Sequence, residues 1–152
     1  MIGIFAASLL LAGCSMAGLQ NLVAAKPAVS ASDPRSSADL DGLIAKYAAA
    51  YKVPESLIRR VIVRESGYNA KARNGPYWGL MQILPATART MGYRGEASGL
   101  LDAETNLKYA VKYLAGAYLV AGGNPDQAMR FYARGYYYDA KRMGLLEEAG
   151  LR

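Results

Sequence analysis

The chain has 152 residues, with no histidine and one cysteine. Nucleophilic systems that need an imidazole base are excluded within it, as are most zinc sites, which need His or paired Cys, and no metal or cofactor is expected. A single Cys allows no internal disulfide, so the fold must be held by its core, and an apolar share of 53% is material enough for one. Eighteen Lys and Arg against twelve Asp and Glu give a net charge of +6, which suits a carboxylate-bearing polymer, anionic lipid or nucleic acid. The basic residues stand singly or in pairs, as at Arg59-Arg60 and Lys141-Arg142, and no base-reading motif accompanies them, so nucleic-acid binding is not expected.

Residues 2–12 form an apolar run of the length of an export signal, and too short to span a bilayer as a helix, which needs about 20 residues. The run ends in Leu11-Ala12-Gly13-Cys14, which resembles the bacterial lipoprotein signal, in which the Cys is lipidated and becomes the first residue of the mature chain. No Lys or Arg precedes Cys14, where an export signal normally opens with one. On this reading residues 1–13 are the signal peptide, and Cys14 is the membrane anchor. Residues 14–36, rich in Ala, Ser and Gly with Pro27 and Pro34, are a flexible tether, and the folded domain covers 37–152. Ser15 after Cys14 lacks the Asp that retains lipoproteins at an inner membrane, which favours the periplasmic face of an outer membrane.

Beyond Ser37 the apolar residues recur at helical spacing with no sustained alternation, which predicts an all-α domain. The first helix is expected over 38–51, capped by Ser37, with Leu40, Ile44, Tyr47 and Tyr51 inward. The second begins with Pro54 at its first position, carries the stripe Leu57, Ile58, Val61, Ile62, and stops at Gly67. A loop over 68–78 and a short helical stretch over 79–91, broken by Pro85, come next. The longest helix is expected over 103–120, capped by Asp102 and stopped by Gly122-Gly123. Asn124-Pro125-Asp126-Gln127 then reads as cap, Pro at N1, acid and Gln at N3. It opens a helix with Met129, Phe131 and Tyr132, and residues 136–150 form a last one.

Glu65 follows Ile62 by three positions, Val61 by four and Ile58 by seven, so a helix puts it on the buried stripe. Burial disfavours a charged carboxyl, and one kept neutral can donate a proton near neutral pH. Pairing with a neighbouring Arg is the alternative. The surrounding residues are more specific. Glu65-Ser66-Gly67-Tyr68-Asn69 and then Gly79-Leu80-Met81-Gln82-Ile83-Leu84-Pro85-Ala86-Thr87-Ala88 resemble the signature of bacterial lytic transglycosylases with a lysozyme-like SLT domain: E-S-x-F/Y-N, a loop, then G-L-M-Q-I/L-x-P-x-T-A. Asn106-Leu107-x-x-Ala110-Val111-x-Tyr113-Leu114 is similar to a third block of that family, and the blocks run in the family order.

The resemblance implies a lysozyme-like helical fold and cleavage of the β-1,4 bond between N-acetylmuramic acid and N-acetylglucosamine in peptidoglycan. Glu65 would protonate the leaving oxygen and then, as carboxylate, take the proton of the muramic C6 hydroxyl, closing a 1,6-anhydro ring without water. Most glycosidases use two carboxyls. Of the other eleven acids here, none lies in the 68–79 loop or the GLMQ segment. Gln82 would bond substrate or developing charge, Gly79 would let backbone approach the sugar, and Tyr77 and Trp78 would stack on sugar rings or pack on the core. Ser66 and Met81 are supporting residues, Met81 as wall or core. The family's A-Y-N-A-G block stands here as Phe131-Tyr132-Ala133-Arg134-Gly135, with Ala133 in place of the Asn, and Tyr132 would hold Glu65 through its hydroxyl. Asn74 stands where family members often have Ser, in a loop one residue shorter, and would donate to sugar or acid. Tyr136-Tyr137-Tyr138 would line the groove or pack on the domain. Peptidoglycan strands are the expected partner. Water-using hydrolysis, as in goose-type lysozymes, and glycan binding without catalysis are the alternatives.

Overall fold

The computed structural model describes residues 34–152, so the signal, Cys14 and most of the tether lie outside the described residues. Helix α1 (Pro34–Tyr51) begins four residues before the expected start, so Ser37 lies inside the helix rather than capping it. Its face of Ile44, Tyr47 and Ala48 is buried. Helix α2 (Glu55–Ser66) has Pro54 at its N-cap, one place earlier than expected, and buries Leu57, Ile58, Val61 and Ile62. Gly67 ends it at φ 57°, a left-handed conformation that glycine adopts without a Cβ penalty, and its N–H closes on the carbonyls of Ile62 and Val63.

A small antiparallel hairpin follows, β1 (Arg73–Asn74) and β2 (Tyr77–Trp78), with Arg73 opposite Trp78 and Asn74 opposite Tyr77. The expected helix over 79–91 is realised only as α3 (Pro85–Thr90), with Pro85 at its first position. Residues 79–83 form turns instead, because Trp78 and Ile83 exchange both backbone hydrogen bonds at 3.1 Å and Gln82 sits at φ 49°. A 3₁₀ turn, Ala97–Leu101, leads into α4 (Ala103–Val120), whose limits and Asp102 cap are as the sequence predicts. The Asp102 carboxylate accepts from the Thr105 N–H at 2.8 Å.

Helix α4 is the axis of the domain and packs chiefly against α5 (Pro125–Arg134) and α1. Its Leu107, Ala110, Val111 and Leu114 are fully buried among Ile58, Val61, Leu80 and Leu100, where each large aliphatic side chain contributes about 1.5 to 3 kcal/mol over an exposed one. Asn124 caps α5 as expected, accepting from the Gln127 N–H at 2.9 Å. The last helix is shorter than expected: α6 (Tyr137–Met143) stops at left-handed Gly144, and turns complete the chain. A second cluster of Ala117, Val120, Phe131, Tyr136, Ala140, Leu146 and Ala149 seats α6. Tyr136 packs in it and donates its hydroxyl to the Tyr113 carbonyl at 2.8 Å, so it lines no groove, while Tyr137 and Tyr138 are exposed. None of the described helices is long and apolar enough to cross a membrane.

Candidate active site

The C-terminal ends of α2 and α5 and the hairpin enclose a cleft of about 320 Å³ lined by Arg64, Glu65, Asn74, Tyr77, Gln82, Tyr132 and Ala133. It shares Tyr77, Gln82, Tyr132 and Ala133 with an adjoining chamber of about 290 Å³, which continues past Leu84, Thr87, Tyr113 and Arg134. Tyr77 is exposed on the hairpin and reaches both chambers, whereas Asn74 borders the first alone. Glu65 is the one carboxyl in either lining.

Helical spacing puts Glu65 beside the α2 stripe, but the last turn lifts it clear of the core, and its side chain is 23% exposed. Its Oε1 accepts from Arg64 Nε at 2.9 Å and also from Nη2, so the Arg pairing held open above is present and coexists with a place in the cleft. Among the described residues its Oε2 accepts no hydrogen bond, the Arg64 contacts all falling on Oε1. A half-exposed pair of this kind contributes at most about 1 kcal/mol to stability. Arg64 was not singled out above; a base beside an acid at a helix C-terminus, where the helix dipole favours cations, is the signal that marks it.

Gln82 is more than nine-tenths buried. Its Nε2 donates to the Gly79 carbonyl at 2.8 Å and to the Ala72 carbonyl at 3.1 Å. Turning the amide over would set its oxygen against those two carbonyls, so the orientation is fixed by chemistry. Its Oε1 is left buried and without a partner, so the unused hydrogen-bonding capacity of this residue, which lines both chambers, is that of an acceptor.

Two expected roles change, those of Tyr132 and Gly79, and Trp78 takes the core side of its alternatives. The Tyr132 hydroxyl donates to the Met81 carbonyl at 2.8 Å rather than to Glu65. Burial first, and the Glu65 charge second, push the Tyr132 phenol well above its ordinary range and keep it protonated. Gly79 does not face the cleft: it is buried at φ 74°, and a Cβ there would overlap Asn106 Nδ2 and the Leu100 carbonyl oxygen, so a close approach inside the fold is what demands glycine. Trp78 lines neither chamber; it packs against the core, under the Arg73 guanidinium 4.0 Å from the ring. Met81 is fully buried, on the core side of the alternatives above, and Ser66 bonds back to the Ile62 carbonyl within α2. Among the described residues no cluster of His, Cys, Asp and Glu could hold a metal ion.

A helical body around one long buried helix, with a single carboxyl at the mouth of a two-chambered cleft, defines a lysozyme-like domain. The transglycosylase SLT domain family matches residues 42–144, and the chain belongs to that family. The chain is also similar to the peptidoglycan transglycosylase gp16 of Escherichia phage T7, 35% identical over 108 residues, which is 68% of this chain and 8% of that protein. It therefore spans less than a tenth of that relative's length. No solved structure matches it.

Proposed function

We propose that this chain cleaves the β-1,4 bond between N-acetylmuramic acid and N-acetylglucosamine in peptidoglycan without water, with Glu65 as acid and then base. The observation that carries the reading is the lone carboxyl: no second Asp or Glu lines either chamber to serve as nucleophile or to activate water. The neutral Glu65 carboxyl gives its proton to the glycosidic oxygen as the bond from that oxygen to the muramic C1 breaks, and the N-acetylglucosamine side leaves with a hydroxyl. The resulting carboxylate takes the proton of the muramic C6 hydroxyl while that oxygen bonds to C1. The anhydro ring closes, Glu65 is neutral again, and no water is consumed. The free Gln82 Oε1 suits this chemistry, since it can accept an acetamido N–H or a sugar hydroxyl and its partial negative charge favours an oxocarbenium-like centre. Asn74 and Tyr77 supply polar and stacking contacts at the rim.

Peptidoglycan digested by the full chain should yield 1,6-anhydro-muramic ends by mass spectrometry, and Glu65→Gln should lower turnover by about 10² to 10⁴-fold while retaining glycan binding. Reducing ends alone would establish hydrolysis instead, and equal turnover in wild type and variant would remove Glu65 from the mechanism. The reading also places the enzyme in the cell envelope. Support for a lipid anchor at Cys14, and through it for an outer-membrane position in a two-membrane cell, comes from the Leu11-Ala12-Gly13-Cys14 sequence after an apolar run. A mature N-terminus at Cys14 carrying acyl mass is the expected result, and an unmodified Cys14 in the exported chain would exclude it.

A further inference from the structure

Among the described residues two amide side chains are buried, Gln82 and Asn106, and both hold the same six-residue segment from Trp78 to Ile83, Gln82 from within it and Asn106 from α4. Asn106 is fully buried in the first turns of α4, beside the apolar Leu107 and Ala110. Its hydrogen bonds all leave the helix. Oδ1 accepts from the Met81 N–H at 2.9 Å, and Nδ2 donates to the Trp78 carbonyl at 2.8 Å and to the Leu100 carbonyl at 2.9 Å. Both amide hydrogens are thus used, and the side chain ties the start and the middle of the Trp78 to Ile83 turn to the 3₁₀ turn behind it.

Met81 is consequently gripped on both sides, its N–H by Asn106 and its carbonyl by the Tyr132 hydroxyl. The next residue, Gln82, holds φ at 49°, a left-handed conformation that side-chain-bearing residues rarely adopt and that persists only where the surroundings over-determine it. Asn106 and Gly79 supply that determination together, since any side chain at Gly79 would displace the Asn106 amide. We infer that Asn106 is a positioning residue for the glycan cleft: through Met81 it sets the backbone of Gln82 and thereby fixes where that side chain, with its unpaired Oε1, stands in the cleft wall.

This inference rests on the proposed role of Gln82 in glycan recognition. It is tested by a double-mutant cycle of Asn106→Ala and Gln82→Ala in the full chain, read as Kd for soluble glycan fragments and as kcat and KM on peptidoglycan. The folded fraction of each variant is first measured by thermal denaturation. If Asn106 acts through Gln82, the two losses are not additive: Gln82→Ala weakens binding roughly tenfold in the wild-type background and much less once Asn106 is gone. A merely structural Asn106 lowers Tm but leaves the losses additive, which would overturn the inference. Where Asn106→Ala does not fold, Asn106→Ser enters the same cycle, a neutral side chain too short to keep all three bonds to Met81, Trp78 and Leu100. Because Kd is read independently of turnover, a wild type that binds glycan without cleaving it removes the proposed reaction and leaves this cycle intact.

Discussion

The two walls of the cleft keep their shape by different means. The hairpin side, from Trp78 to Ile83, has no regular helix, and individual side-chain bonds from Asn106, Gln82 and Tyr132 define it. The opposite side is the end of α5, a regular helix with an Asn124 cap and Pro125 at its first position, held by burial of Ala128, Phe131 and Tyr132. A wall made of a few specific bonds fails when one is removed. A wall made of repeated helical bonds and apolar contact loses stability in small increments. Ala133, where the family pattern has Asn, lies on the second kind of wall, while the Glu65 and GLMQ blocks that frame the first kind match that pattern throughout.

The sharpest way to break this contrast is Gly79→Ala. The added methyl overlaps Asn106 and the Leu100 carbonyl at a left-handed backbone position, so the loss should exceed the usual range for single substitutions, about 3 kcal/mol or more in denaturant unfolding. A loss below that range would mean the turn wall can relax. Tyr132→Phe ranks next, since it strips the Met81 carbonyl of a buried donor and should cost about 1 to 3 kcal/mol, with a fall in glycan affinity as Met81 loosens.

Asp102→Ala acts on the helix that carries Asn106 and should cost about 1 kcal/mol at neutral pH. The bond from the Thr105 backbone N–H, then that from its hydroxyl, lowers the Asp102 pKa in the folded state. Its contribution is therefore present above the unfolded value of about 3.9 and is lost as pH falls through the lower folded value. Unfolding curves of wild type and Asp102→Ala should converge in that acidic window; a constant gap would separate the cap from its charge. Ala133→Asn should be the mildest. It is exposed at the cleft edge, should change stability by less than about 0.5 kcal/mol, and should alter KM for glycan more than kcat.

What could be read from the sequence follows the same division. Helix α4 was legible to the residue because Asp102 and the long apolar pattern are local signals, and α5 because Asn124-Pro125 announces its start. The segment over 79–83 has Leu80, Met81 and Ile83 in a spacing that suits a helix, yet a bond to Asn106, remote in sequence, and bonds to Ala72 and Trp78 just before it turn it away from helix. Strands of two residues show no alternation to detect, which hid the hairpin. In the site, Glu65, Asn74, Tyr77, Gln82 and Tyr132 do meet at one cleft. The partner of the Tyr132 hydroxyl was not legible, because Met81 is 51 positions away and the choice between two nearby acceptors is made by tertiary packing. Trp78 and Gly79 adjoin the cleft-lining Tyr77 in sequence but face inward, a distinction that irregular backbone leaves out of any periodic pattern.

Trp78 is the single tryptophan of the chain. Its carbonyl is held by Asn106, its ring lies beneath Arg73, and it contacts neither chamber. The protein thus carries its own optical reporter on the irregular wall, outside the lining of both chambers. A shift in tryptophan emission reads distortion of that wall, and glycan that binds without moving the wall leaves the emission as it was.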